Sequence, residues 1–208
     1  MIVVADPNLE AAERGRTIAR TERAVASAEE AILDPGVEAV VIATPTSTHA
    51  SLIEVAVGAG KAVWCGKPIA LNIAETHRVV ELVTRTGVPV QVPERRTWRR
   101  RDLTAVHLGY DIRTEVAGST GKVVVEAPQK APMVYSREFG FEADHYENFP
   151  DRFEVAYRRE LEAFFEALGV GRTPTPGPTD ALETPRPAVA VTRSSREGRP
   201  AEVAEVTS

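Results

Sequence analysis

Residues 37–68, VEAVVIATPTSTHASLIEVAVGAGKAVWCGKP, decide the fold. VEAVVIA is an apolar, β-branched run bounded by Pro35-Gly36 and Pro45. It is too short for an ordinary helix and reads as a strand. From His49 onward, Leu52, Ile53, Val55, Ala56 and Val57 share a helical face, and Gly58-Ala59-Gly60 ends the helix. KAVWC, residues 61–65, is the next strand. Strand, helix and strand joined by short connections make a βαβ unit, whose two strands run parallel.

The same alternation extends on both sides. IVVA at 2–5 is a strand that ends at Asp6-Pro7, followed by a polar helical stretch rich in Ala, Glu and Arg. Downstream, Asn72–Arg85 is an amphipathic helix with Ile73, Val79, Val80, Leu82 and Val83 on its apolar side, and VPVQV is a further strand. This β-α-β-α-β-α-β order calls for a parallel sheet with helices on its faces and right-handed crossovers. Ligands on such sheets bind at the carboxyl ends of the strands, which directs attention to Asp6, Thr44–Thr48 and Cys65–Pro68.

The second half changes character. DIRTEVAG, a turn centred on Ser119-Thr120, and KVVVEA read as a β-hairpin, and two further strands are expected around Met133–Tyr135 and Arg137–Phe141. Residues 151–168 read as a helix burying Phe153, Ala156, Tyr157, Leu161, Phe164, Phe165 and Leu168. A Pro/Gly-rich loop, a last helix over AVAVTRSSREG and a terminal strand near Ala201–Val206 complete the chain. The fold class is α/β: an incomplete Rossmann-like parallel sheet over residues 1–94, then a smaller α/β domain with an open, mostly antiparallel sheet over residues 95–208.

Composition narrows the function. The 208 residues are 43% hydrophobic and 26% charged, which is ordinary for a globular protein and unlike a disordered or collagenous chain. A net charge of -5 argues against a dedicated nucleic-acid or membrane-surface binder. The single cysteine, Cys65, forms neither an internal disulfide nor a Cys-rich zinc site, which fits a reducing cytoplasm. No signal peptide is visible at MIVVADPNLE, and no apolar run approaches the ~20 residues of a membrane span.

Each candidate residue has a plain structural reading beside the functional one. Asp6 follows a strand and opens a helical segment, as a helix cap does and as the ribose-binding acid of a dinucleotide site does. Thr44-Pro45-Thr46-Ser47-Thr48-His49 is a hydroxyl-rich strand-end loop, suited to capping or to contacting a ribose or nicotinamide. Pro68 restricts Lys67 to extended geometry, so the lysine is either a surface residue before a turn or an ammonium aimed into the crevice, where it polarises a hydroxyl. Arg95-Arg96-Thr97-Trp98-Arg99-Arg100-Arg101 is read as a solvated charge run rather than a nucleic-acid site, because the chain around it is acidic. His49, His77, His107 and His145 stand apart without metal-ligand spacing, and Ser194-Ser195 lacks a nucleophile-elbow context. The fingerprint G-x-G-x-x-G is absent: the sequence has no room for it before Asp6, and Gly58-Ala-Gly60 and Gly169-Val-Gly171 lack the third glycine.

Taken together, VVADPNLEAAE, residues 37–71 and GVPVQV resemble the Gfo/Idh/MocA family of NAD(P)-dependent sugar and polyol dehydrogenases, with a Thr-Pro loop, a downstream His and a Lys-Pro signature. GYDIRTEVAGSTGKVVV, FPDRFEVAYRRELEAFFEAL and SSREGRP resemble the inositol 2-dehydrogenase group within it. The resemblance implies NAD as cofactor, an inositol-like polyol as substrate, and homo-oligomers built through the C-terminal sheet. It implies Asp6 as the ribose acid, Thr44, Pro45 and His49 along the cofactor, Lys67 as the catalytic lysine, and Tyr110 and Arg95 on the substrate side.

The chain departs from the family pattern in four places. The first strand and glycine loop are missing. Gly66 replaces the Glu beside the catalytic lysine. Between Arg101 and His107 a long segment is absent, and with it a helical Asp-x-x-x-His pair whose His is the general base. Pro185 and Pro187 fall where the family has a helix, so that helix is expected to start later, since an interior proline costs about 3 kcal/mol. A shortened, impaired dehydrogenase is therefore expected, the alternative being a non-catalytic remnant that associates with intact relatives.

Overall fold

The computed structural model describes residues 1–93, 114–125, 129–131, 133–138, 140–144 and 146–206. Arg95, the 95–101 basic run, His107, Tyr110 and His145 lie outside the described residues. The chain forms two compact units, residues 1–95 with 161–208, and residues 96–160.

The first unit opens with β1 (Val3–Ala5), α1 (Leu9–Ala19), β2 (Arg23–Val25) and α2 (Ala28–Leu33). The 37–68 stretch then supplies β3 (Ala39–Ile42), α3 (His49–Gly58) and β4 (Ala62–Cys65), followed by α4 (Ile73–Thr86) and β5 (Val90–Gln91). A single-turn 3-10 helix at Thr46–Thr48 leads into α3. The stretch expected as one polar helix thus contains two helices separated by β2, a strand of only three residues. Capping explains the division: Asn8 accepts from the amides of Glu10 and Ala11 at the start of α1, and Ser27 accepts from Glu30 at the start of α2. Arg20 ends α1 in a left-handed conformation at φ 53°.

All strand pairing in this unit is parallel, as the crossovers require, but it falls into two ladders. One pairs β1 with β2, and the other has the order β3-β4-β5. β4 is buried along its whole length, as the middle strand of a covered parallel sheet should be. Val63 and Cys65 face a core formed with Ile53 and Val57 of α3 and Val79 of α4, while Ala62 and Trp64 face the other way, onto Phe164.

Phe164 belongs to α5 (Phe149–Gly169), which is kinked at Phe153. Within α5, Leu161, Phe164 and Leu168 pack toward Ala62 and Trp64. The expected stripe is too wide: Phe165 is 52% exposed and Ala156 is also exposed. The register of the helix explains this, because Phe165 stands one residue, or about 100°, round from Phe164.

The C-terminal segment adds α6 (Pro178–Glu183) and α7 (Pro185–Glu197), where Leu182, Ala190 and Val206 pack with Ile73 of α4. α7 does not start late. Pro185 occupies its first position and Pro187 its first turn, where the backbone N–H has no intrahelical partner to lose. No terminal strand forms: residues 203–205 make a 3-10 turn, and Val206 donates to the Val203 carbonyl within that turn instead of to a neighbouring strand.

In the second unit, β6 (Thr114–Gly118) pairs antiparallel with β7 (Gly121–Val125) around Ser119-Thr120, as expected. β8 (Val134–Arg137) and β9 (Gly140–Ala143) form a second hairpin, each displaced a few residues from its expected place.

Candidate functional site

The carboxyl ends of β1, β3 and β4 carry Asp6, Thr44 and Lys67. Asp6 continues the β1 ladder by donating its amide to the Val25 carbonyl at 3.2 Å. One carboxylate oxygen, Oδ1, accepts from the Asn8 amide at 2.8 Å. This contact holds the side chain beside the turn that leads into α1, while Asn8 and not Asp6 caps the helix. A carboxylate has about four acceptor positions, so the group keeps capacity for ribose hydroxyls.

After β3, Thr44 and Pro45 lead into the 3-10 turn. The Thr48 hydroxyl donates to the Pro45 carbonyl at 2.9 Å and lies 2.7 Å from the Thr44 hydroxyl, which donates to it in turn. The hydroxyl-rich loop is thereby closed on itself. His49, first residue of α3, is only 3% exposed. Its Nε2 lies 2.8 Å from the Thr44 carbonyl and its Nδ1 lies 2.7 Å from the Pro68 carbonyl. The ring therefore sits beneath both loops.

After β4, the Gly66 amide donates to the Ile42 carbonyl at 2.9 Å, so the loop leaves the sheet along the line of the strand. Lys67 and Pro68 follow, joined by a cis peptide, and Lys67 is exposed. A Cβ built at Gly66 meets only ordinary contacts, at 3.7 Å from the Ile42 carbonyl oxygen and 3.8 Å from His49. The residue's backbone thus leaves room for a side chain. Cys65 is fully buried, and its burial pushes the thiol up to about 12. It is a neutral packing group and no nucleophile at physiological pH.

The structure brings Thr44, Pro45, His49 and the Lys67-Pro68 turn together through one imidazole. Asp6 belongs to the other parallel ladder. Sequence reasoning missed one buried cation, Lys61, whose Nζ donates to the Val37 carbonyl at 2.6 Å and to the Asp34 carbonyl, fastening the start of β3. Contacts to backbone carbonyls leave no trace in residue spacing. Among the described residues there is no His/Cys/Asp/Glu cluster able to hold a metal, and no helix is long and apolar enough to cross a membrane.

The strand-end residues fit the ribose and nicotinamide ends of a dinucleotide, namely a carboxylate after β1 and a hydroxyl loop and a lysine after β3 and β4. The glycine fingerprint that cradles a pyrophosphate is not in this sequence.

Residues 1–94 match the model of an oxidoreductase family with an NAD-binding Rossmann fold, GFO_IDH_MocA, and residues 98–203 match that family's C-terminal alpha/beta domain. The chain is 37% identical over 92 residues to scyllo-inositol 2-dehydrogenase (NAD(+)) of Bacillus subtilis, covering 44% of this chain and 27% of that protein. It is 36% identical over 85 residues to inositol 2-dehydrogenase of Acidiphilium cryptum, covering 40% of this chain and 25% of that protein. These matches thus span about a quarter of the relatives' length.

Two solved structures share the fold. Scyllo-inositol dehydrogenase from Lactobacillus casei, with bound NAD(H) and scyllo-inositol, superposes with a TM-score of 0.82 at 14% identity, covering 98% of this chain and 91% of that one. Myo-inositol dehydrogenase from Corynebacterium glutamicum superposes with a TM-score of 0.77 at 19% identity, covering 95% and 89%.

Proposed function

The chain belongs to the Gfo/Idh/MocA family of NAD-binding oxidoreductases, and from that premise we propose that its ancestral reaction is hydride transfer from a polyol CH–OH to NAD, of the inositol 2-dehydrogenase type. The observation that carries this reading is the convergence of the Thr44-Pro45 loop and the Lys67-Pro68 turn at the carboxyl ends of adjacent parallel strands. Bound NAD supplies the hydride acceptor. Asp6 holds the adenosine ribose hydroxyls, and its negative charge disfavours a 2′-phosphate. Thr44 and Pro45 border the nicotinamide half, with His49 behind them. The Lys67 ammonium donates to the reacting hydroxyl oxygen, orienting it and favouring loss of its proton. Tyr110 and Arg95 serve the polyol.

The sequence contains no Asp-x-x-x-His pair to take that proton. General-base catalysis is worth roughly 10²–10⁴-fold, so we assign this chain little or no turnover by itself. The test is NADH formation by purified protein with myo- and scyllo-inositol, run beside direct NAD binding. Weak binding with negligible turnover supports the proposal. Robust turnover overturns the claim of impairment, and absence of any NAD binding overturns the site.

A second reading has an observation of its own. Val116 and Val123 face each other across the β6–β7 hairpin, with Val125 on the same face, and all three are well exposed. Such a face suits association with another copy or an intact relative through the C-terminal sheet. Sedimentation of the protein alone and mixed with a full-length relative tests it. A monomer in both conditions excludes it.

A further inference from the structure

We propose that His49 is a positioning residue whose imidazole carries both ring protons and donates them to two carbonyls, Thr44 on one strand-end loop and Pro68 on the other, setting the distance between those loops. This inference deepens the reading of the site above, but its geometry stands without any cofactor.

A neutral imidazole has one N–H and one lone pair, whereas a carbonyl oxygen can only accept. Nδ1 lies 2.7 Å from the Pro68 oxygen and Nε2 lies 2.8 Å from the Thr44 oxygen. In either neutral tautomer one of these contacts sets a lone pair against a lone pair. Only the doubly protonated ring makes both of them hydrogen bonds. Turning the ring over would present carbon to each carbonyl and leave both nitrogens without these partners. Burying a charged ring is costly, and two short charge-assisted bonds offset that cost.

Among the described residues, these two carbonyls are the ring's hydrogen-bond partners. On the β4 side the titratable neighbours are Cys65, which stays a neutral thiol, and Lys67, which is itself a cation. On the β3 side the loop offers the hydroxyls of Thr44, Thr46, Ser47 and Thr48, of which Thr44 and Thr48 bond each other. Among the described residues, no carboxylate forms an ion pair with the ring. The ring fills the space under Gly66, whose Cβ position lies 3.8 Å from it. His49 thus joins the element that would border the nicotinamide to the element that carries Lys67, without contacting substrate itself.

The test reads the ring directly. In a ring-nitrogen NMR spectrum of the whole chain near neutral pH, His49 should show both nitrogens as N–H, its signals being assigned by their loss in His49→Phe. A spectrum with one protonated and one bare nitrogen for His49 overturns the proposal. As a second arm, His49→Phe and His49→Gln are compared by amide hydrogen exchange. Loss of either bond should speed exchange at the Thr48 and Gly66 amides roughly tenfold, while the α4 amides keep their protection. His49→Gln, which offers only one donor group, should restore one loop at most. Uniform loss of protection, or no change in either loop, overturns the positioning role. NAD binding is measured on the same samples. If wild type fails to bind while its ring shows both protons, the cofactor reading fails and the brace stands.

Discussion

The Gly66 amide donates to the Ile42 carbonyl at 2.9 Å, one step beyond the Ile42–Cys65 register pair, so the β3–β4 ladder continues into the loop that carries Lys67. The lysine's backbone is therefore anchored by sheet geometry on one side and by the His49 ring, through the Pro68 carbonyl, on the other. Residue 66 stands at the centre of this arrangement, and its Cβ position is open.

Gly66→Ala should accordingly be neutral or stabilising. Its φ lies outside the left-handed region, so a side chain restricts the unfolded chain more than it strains the folded one, a gain of about 0.4–1 kcal/mol. Urea midpoints check this, and a clear loss of stability would show the loop to be tighter than described. Gly66→Glu should likewise fold, and it returns a carboxylate to the position beside Lys67.

Phe164 and Phe165 should behave oppositely despite their adjacency. Phe164 is fully buried against Ala62 and Trp64, so Phe164→Ala should cost about 3–5 kcal/mol. Phe165→Ala removes an exposed ring that meets Phe164 only edge-on at 5.2 Å, and should cost under about 1.5 kcal/mol. Thermal unfolding of the two variants distinguishes them.

Lys61→Met should destabilise by about 1–3 kcal/mol, because the Val37 and Asp34 carbonyls lose a charged donor. The urea slope should stay unchanged, since the surface exposed on unfolding is the same.

Cys65 should be inert to thiol reagents in the native state and react fully on denaturation. Its thiol is raised in the folded chain to about 12 and returns on unfolding to roughly 8.5. The unfolded chain therefore loses the proton first, and this group's contribution to stability is intact below that lower value and declines as pH rises toward the upper one. Cys65→Ala removes that alkaline slope, which pH-dependent unfolding measures.

Much of this architecture was legible in the residues, and the exceptions have physical causes. The 37–68 stretch announces its strands and helix because a buried parallel strand is continuously apolar and Gly58-Ala59-Gly60 ends a helix cleanly. The β6–β7 turn is legible for a similar reason, with glycines flanking Ser119-Thr120. β2 escapes notice because Arg23-Ala24-Val25 is three residues long and begins with an arginine whose guanidinium is engaged by Asp34 and Glu30. The start of α7 is misread when Pro185 and Pro187 are taken as interior prolines, although the first turn has no amide bonds for them to break. At the site, strand ends direct attention to Asp6, Thr44–Thr48 and Cys65–Pro68, and the family resemblance adds roles for Asp6, Thr44, Pro45, His49 and Lys67, but neither gives the direction of the imidazole, which depends on two carbonyls nineteen and five positions away in the chain.

In the proposed function, the loops after β1, β3 and β4 would form the face that meets a dinucleotide. An amide chemical-shift map during titration with NAD tests it most directly. The predicted result is a saturable set of shifts at Asp6, Thr44–His49 and Gly66–Lys67, with the outer helices unmoved. Shifts confined to other surfaces, or a spectrum unchanged at millimolar NAD, would contradict it.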